Sequence, residues 1–129
     1  MVVVTANHIR RRVVVTVPAG TRWRAFHAET LAAIDANPAL TDYDWIIDDQ
    51  GPMDDVDVEG MTKTGDAFKK LSQAPDRATF TIVVSTDRFF HEWARVIDKH
   101  YGQRRHLAAP TLTAAVELLD RLEQRRGGA

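Results

Sequence analysis

A chain of 129 residues with 44% hydrophobic and 27% charged residues has the size and composition of one globular domain, which excludes collagen-like and disordered classes. The formal net charge of -1 argues against a nucleic-acid module held by overall phosphate attraction. Without cysteine there is neither a disulfide framework nor a thiolate metal site.

The opening MVVVTANHIRRR lacks the long apolar run and small-residue cleavage site of a secretory signal. No apolar run approaches the roughly 20 residues needed to cross a bilayer, so a cytoplasmic protein with no membrane insertion is expected. Val2 to Thr5 and Arg12 to Val17 are β-branched runs joined across Asn7 and His8, which predicts a hairpin. Pro18-Ala19-Gly20 breaks the second strand, and Thr21 is the expected N-cap of a helix whose Trp23, Phe26, Thr30, Ala33 and Ile34 share a face. Asn37-Pro38 ends it, because the residue before a proline is pushed out of helical geometry.

Tyr43 to Asp48 reads as a buried strand, followed by an acidic loop with Gly51-Pro52 as punctuation. From Asp48 to Glu59 the chain carries six carboxylates and no base: Asp48, Asp49, Asp54, Asp55, Asp57 and Glu59. A helix from Val58 to about Gln73 is expected to bury Val58, Met61, Phe68 and Leu71, with Gly65 weakening its middle. Ala78 to Val84 (ATFTIVV) has the near-continuous apolar pattern of a strand covered on both faces. Ser85 or Thr86 is the expected cap of a third helix, Asp87 to about Tyr101, with Phe89, Phe90, Trp93, Ala94, Val96, Ile97 and Tyr101 inward and Gly102 at its end. A short strand from Arg105 to Ala108 precedes a last helix, Leu112 to about Arg125, with Leu112, Ala115, Val116, Leu119 and Leu122 on one stripe.

The order β-β-α-β-α-β-α-β-α predicts an α/β fold: one mostly parallel sheet of about five strands, four helices, and one antiparallel strand from the hairpin. A single domain is expected over 1–126, with 127–129 as a disordered tail.

Ligands of open α/β sheets meet the carboxyl ends of the strands, which directs attention to the acidic loop. Asp48, Asp49 and Asp57 are oxygen donors that a hard cation would want if they converged, but no EF-hand spacing accompanies them and no metal or cofactor is expected. A receiver-type phosphoryl acceptor needs a fifth βα unit and a late lysine, where this chain has Ala109-Pro110-Thr111. Ser85 lacks the Gly-x-Ser-x-Gly context of a nucleophile elbow, and no Gly-rich phosphate loop is present, so no enzyme activity is expected. His91 and His100 lie nine apart on one helix and do not share a face. Lys99, His100, Arg104, Arg105 and His106 read as a solvated basic corner, with grip on an anionic partner as the alternative. Phe89 and Phe90 are adjacent and cannot both point straight inward, so one is free for a dimer contact or an apolar pocket.

The runs YDWIIDDQG…DVEGM and TIVVSTDRFFHEWARVID, in this element order, resemble a STAS-like domain of the anti-sigma-factor-antagonist type. In that family a strand ending in aspartate leads to an Asp-Ser-Ser-Gly-Leu motif in which a serine is phosphorylated by a partner kinase. The corresponding run here is Asp57-Val58-Glu59-Gly60-Met61, with no serine and a fixed charge at Glu59. The resemblance implies a regulatory protein-interaction domain without the phosphorylation switch. The wider group also resembles the CRAL-TRIO lipid-transfer domains, which implies a small apolar ligand as the alternative. The expected contact surface is Asp48, Asp49, Asp57, Glu59, Ser85, Thr86, Phe89 and Phe90, for a protein partner and a homodimer, or for an apolar ligand held between sheet and helices.

Overall fold

The computed structural model describes every residue except Pro52, Asp54, 87–89, Gly128 and Ala129, and the side chains of Phe90, His91 and Trp93 stand equally outside the description. Five strands, β1 (Val3–Asn7), β2 (Arg12–Val17), β3 (Asp44–Asp49), β4 (Thr79–Val84) and β5 (Arg104–Ala109), form one sheet in sequential order. The helices are α1 (Trp23–Ala36), α2 (Val58–Leu71), α3 (Phe90–Asp98) and α4 (Leu112–Gly127), with a short 3-10 turn at Pro38–Asp42. Only the β1–β2 pairing is antiparallel. The predicted α/β fold is the observed one. The helix α4 extends through Gly127, and the rest of the expected tail, Gly128 and Ala129, lies outside the described residues.

Local chemistry accounts for the hairpin. The Asn7 carboxamide oxygen accepts from the amides of Ile9 (3.1 Å) and Arg10 (3.0 Å), and Arg11 closes the turn at φ 55. Asn7 therefore supplies a side-chain turn that valine or isoleucine cannot.

Sequential parallel strands joined by right-handed crossovers place their connecting helices on one face of the sheet. The two core clusters follow this rule. Val13, Val15, Val17, Trp45 and Ile47 pack with Ile34 of α1 and Phe68 of α2, whereas Ile46 and Ile82 of the opposite parity pack with Ala115 and Leu119 of α4. The strand β3 lies in the middle, with Ile46 and Ile47 both buried, as expected of a parallel strand covered on both sides.

Several helix-face expectations are corrected. Val58 is 50% exposed, because it opens α2 before the first buried turn, and the buried residues are Gly60, Met61, Thr64, Gly65 and Phe68. Val96, Leu112 and Val116 are also exposed, so each apolar stripe is narrower than its sequence pattern. Described α3 spans Phe90–Asp98 and gives way to a turn before Gly102, at φ +62, so Tyr101 lies beyond the helix. The expected Ser85 or Thr86 cap adjoins residues 87–89, which lie outside the described residues. Gly65 does more than weaken α2: a Cβ there would collide with the carbonyl of His100, so its absence lets the helix approach the turn after α3.

Candidate functional site

The strand register lays out the sheet face beneath α1, α2 and α3 in rows. Val13, Trp45, Thr81 and His106 form one row, and Val15, Ile47, Val83 and Ala108 the next, with Val17 and Asp49 at the carboxyl rim. Over these rows lies a cavity of about 900 Å3. Its walls are mostly apolar: Trp23 and Phe26 from α1, Met61 and Phe68 from α2, and Ile47 and Val83 from the sheet. From Thr81 to Ser85 it follows β4 for about 13 Å, at roughly 3.3 Å per residue. Polar groups stand at its two ends. At the rim are Asp49, Gln50, Ser85 and Thr86, and at the lower end are Thr81, His106 and Tyr101.

The lower end rests on Arg104, which is 3% exposed. Its guanidinium donates to the carbonyls of Phe80, Thr41 and Tyr43 and to the Thr81 hydroxyl, and it lies 5.0 Å over the Phe68 ring. Burial lowers its pKa to about 10, with the Asp44 carboxylate acting in the opposite direction, so Arg104 stays charged at neutral pH. His106, 8% exposed, presents Nδ1 to Asp98 Oδ1 at 2.9 Å, and its backbone N–H donates to the same oxygen at 2.8 Å. Its imidazole pKa is lowered, chiefly by burial, against the pull of Asp98. The ring of Tyr101 meets it edge-on with centroids 4.6 Å apart, and burial raises the Tyr101 pKa. The expected basic corner is thereby corrected. Strand alternation turns Arg104 and His106 into the core and leaves Arg105, the strand residue between them, facing outward with exposed Lys99.

One turn into α1, His27 Nδ1 lies 2.6 Å from the Thr64 hydroxyl, which itself donates to the Gly60 carbonyl. One hydroxyl proton serves one acceptor, so His27 is the donor to Thr64. Trp23 stacks on the His27 ring at 4.7 Å, and burial lowers the His27 pKa.

The expected site residues divide between three places. Asp49, Ser85 and Thr86 line the cavity, and burial raises the Asp49 carboxyl pKa although the Gly51 N–H donates to it. Asp48 belongs to the row of Thr16, Val84 and Ala109 on the opposite face, because successive strand residues alternate. Asp57 accepts from the Gly60 amide at 2.7 Å as the N-cap of α2, and exposed Glu59 lies 3.7 Å from Lys63. These two border a smaller surface hollow of about 290 Å3 with Trp23, Arg24, His27 and Asp55. Phe89 and the Phe90 side chain lie outside the described residues. The imagined convergence of Asp48, Asp49 and Asp57 does not occur. Among the described residues no group of three or more His, Asp or Glu side chains is arranged to hold a metal ion.

The acidic loop has a structural task instead. Asp55 accepts from the amides of Trp23 (2.6 Å) and Arg24 (3.3 Å), capping α1 from a distance of 32 residues in sequence. Those amides, the Trp23 one foremost, hold the Asp55 carboxyl below its usual pKa. The expected cap, Thr21, instead donates its hydroxyl to the Pro18 carbonyl.

No family model, curated protein or solved structure matches this chain.

Sequence reading missed His27, His106, Tyr101 and Trp45 as wall residues. For His106 a signal was present, since period-two alternation through Arg104-Arg105-His106 puts two of the three on one face. His27 offered none, because its partner Thr64 is 37 residues away.

Proposed function

We propose that this chain is a non-enzymatic α/β domain that binds a small, largely apolar molecule between its sheet and its three-helix layer. The cavity of about 900 Å3 carries the reading, since it falls within the 300–1,000 Å3 typical of ligand sites and has an apolar wall with a few polar groups. Three of its polar wall groups are held by the fold: His27 by Thr64, His106 by Asp98 and Asp49 by the Gly51 amide. Such tethered groups orient a ligand. The element order supports placing the domain with the STAS-like group, whose CRAL-TRIO-like relatives bind apolar ligands. Among the described residues no helix is long and apolar enough to cross a membrane.

Native mass spectrometry of the purified chain, before and after delipidation and incubation with medium-chain apolar compounds, tests this. The expected result is a bound mass on the wild type and markedly lower occupancy on Val83→Phe, which puts a ring into the cavity. Equal occupancy of both proteins, or none on either, counts against the reading.

A second reading, a regulatory protein contact or homodimer at the strand ends, is favoured by Val56 and Val58, exposed at 42% and 50% beside Glu59. A Val58→Asp variant should then shift the size-exclusion profile toward smaller species, and an unchanged profile removes the homodimer.

A further inference from the structure

The cavity end nearest the strand amino termini has a hydrogen-bonding character that narrows what the cavity takes. Asp98 Oδ1 accepts the backbone N–H of His106 and lies 2.9 Å from its Nδ1. An oxygen already serving as an acceptor fixes the imidazole proton on Nδ1, and the second ring nitrogen, Nε2, keeps its lone pair. Among the described residues Nε2 has no hydrogen-bond partner, and neither has the Tyr101 hydroxyl on the ring beside it. One is an acceptor and the other a donor. Both rings line the cavity, His106 at 8% exposure. Burial lowers the His106 pKa, with Arg104 and Arg105 adding to the fall and Asp98 opposing it. The cation nearby is committed: the Arg104 terminal nitrogens serve Phe80, Thr81, Thr41 and Tyr43.

We infer that the ligand of this cavity is an apolar molecule ending in a hydroxyl, an aliphatic alcohol or a sterol- or phenol-like relative, with that hydroxyl bound between His106 Nε2 and the Tyr101 hydroxyl. A hydroxyl donates one proton and accepts another, which matches an acceptor standing beside a donor. An ether or ketone satisfies Tyr101 alone and leaves a buried imidazole acceptor unpaired, which costs affinity. A carboxylate brings two acceptors against the Nε2 lone pair and finds the arginine already occupied. Above the hydroxyl, the rows of Ile47 and Val83 with Met61 and Phe68 take an apolar body along the roughly 13 Å that lead toward the rim. His106 and Tyr101 are then specificity-determining residues. This inference rests on the ligand-binding reading above.

Matched probes separate the two. Decanol, its methyl ether and decanoate share one chain and differ at the end group, and Trp23 and Trp45 in the cavity wall report occupancy by fluorescence. On the wild type, decanol is expected to bind about tenfold more tightly than the ether, the value of one hydrogen bond not left unmade in a buried site. Tyr101→Phe keeps the ring and its packing, and His106→Leu removes the acceptor. His106→Leu is expected to weaken decanol severalfold and leave the ether almost unchanged, whereas Tyr101→Phe removes a donor to both and is expected to weaken both while decanol stays the tighter of the two. Equal binding of decanol and ether, or tighter binding of decanoate, overturns the hydroxyl assignment while the apolar-ligand reading stands. Absence of binding by all three probes overturns both. Should His106→Leu not fold, the preference of decanol over the ether on Tyr101→Phe decides alone, because there only the bond to His106 Nε2 separates the two probes.

Discussion

Against α4 the sheet presents Ile46, Ile82 and Ala109, and the helix meets them with Ala115 and Leu119, all nearly inaccessible. Arginines then pin α4 at its carboxyl half. Arg12 Nη2 reaches Asp120 at 2.8 Å and Glu123 at 2.7 Å, and Arg126 is paired with Asp44. Against the other three helices the same sheet presents Trp45, Ile47 and Val83 to Trp23, Phe26 and Phe68, and these large side chains border a cavity of about 900 Å3. Ala109 and Ala115 stand at the contact with α4, whereas aromatic residues stand between the strands and α1 and α2. One face is therefore closed and the other borders a cavity.

The sharpest way to break this contrast is at Arg104, the polar support beneath the cavity. Arg104→Met keeps length and apolar contact but leaves the carbonyls of Thr41, Tyr43 and Phe80 without their shared donor. Each buried acceptor left unpaired costs roughly 1–3 kcal/mol, so a loss of about 3–5 kcal/mol in urea unfolding is expected. A loss below about 1 kcal/mol means that water takes over these carbonyls and that Arg104 supports nothing.

Next in size is a pair of enlargements on opposite faces. Ala115→Phe crowds the closed face, where overpacking costs about 1–3 kcal/mol. Val83→Phe places the same ring into the cavity, and a change within about 1 kcal/mol is expected. Equal destabilisation by the two would show that the three-helix face is as closely packed as the other.

Acid sharpens the comparison through His106 and His27, which both border the cavity. Burial lowers the His106 and His27 pKa values in the folded chain, so below about pH 6.5 the unfolded chain binds protons that the folded chain resists. Stability is fully present above that pH and falls as the pH drops toward the folded values, by at most about 1.4 kcal/mol per pH unit for each proton. Below about pH 3.8 the sign stays the same for Asp55 and Asp120, which are held low by the Trp23 amide and by Arg12. Asp49, raised by burial, acts in the opposite direction as its carboxyl ionises. Urea midpoints between pH 7 and pH 5 should fall for the wild type and fall less for His106→Gln. Identical slopes would place the acid sensitivity elsewhere.

The strands were legible because β-branched runs have few other uses, and β3 stands in the middle of the sheet, as the buried run Trp45 to Ile47 implied. The site was legible only at its rim. Asp49, Ser85 and Thr86 could be placed from strand ends alone, because topology fixes where strands terminate. The lower end could not, since His106 meets Asp98 and Tyr101 through a turn, and Arg104 reaches carbonyls up to 63 residues away. The acidic loop misled for a related reason. A carboxylate run looks like a ligand set until the fold reveals that one member caps a distant helix and another faces the far side of the sheet.

The smallest expected effect concerns that cap. Asp55 ties the loop after β3 to the first turn of α1, and Met53 and Val56 on the same loop border the cavity rim. Asp55→Ala removes the acceptor for the Trp23 and Arg24 amides, whereas Asp55→Asn keeps a carbonyl oxygen in place. The alanine variant should melt a few degrees lower, with asparagine recovering most of the difference. Amide exchange tells local loosening from global loss. It should quicken at Trp23, Arg24 and Val56 while Ile46 and Ile82 in the strands stay protected. Equal acceleration in the strands would mean that Asp55 holds the whole fold and not this one rim.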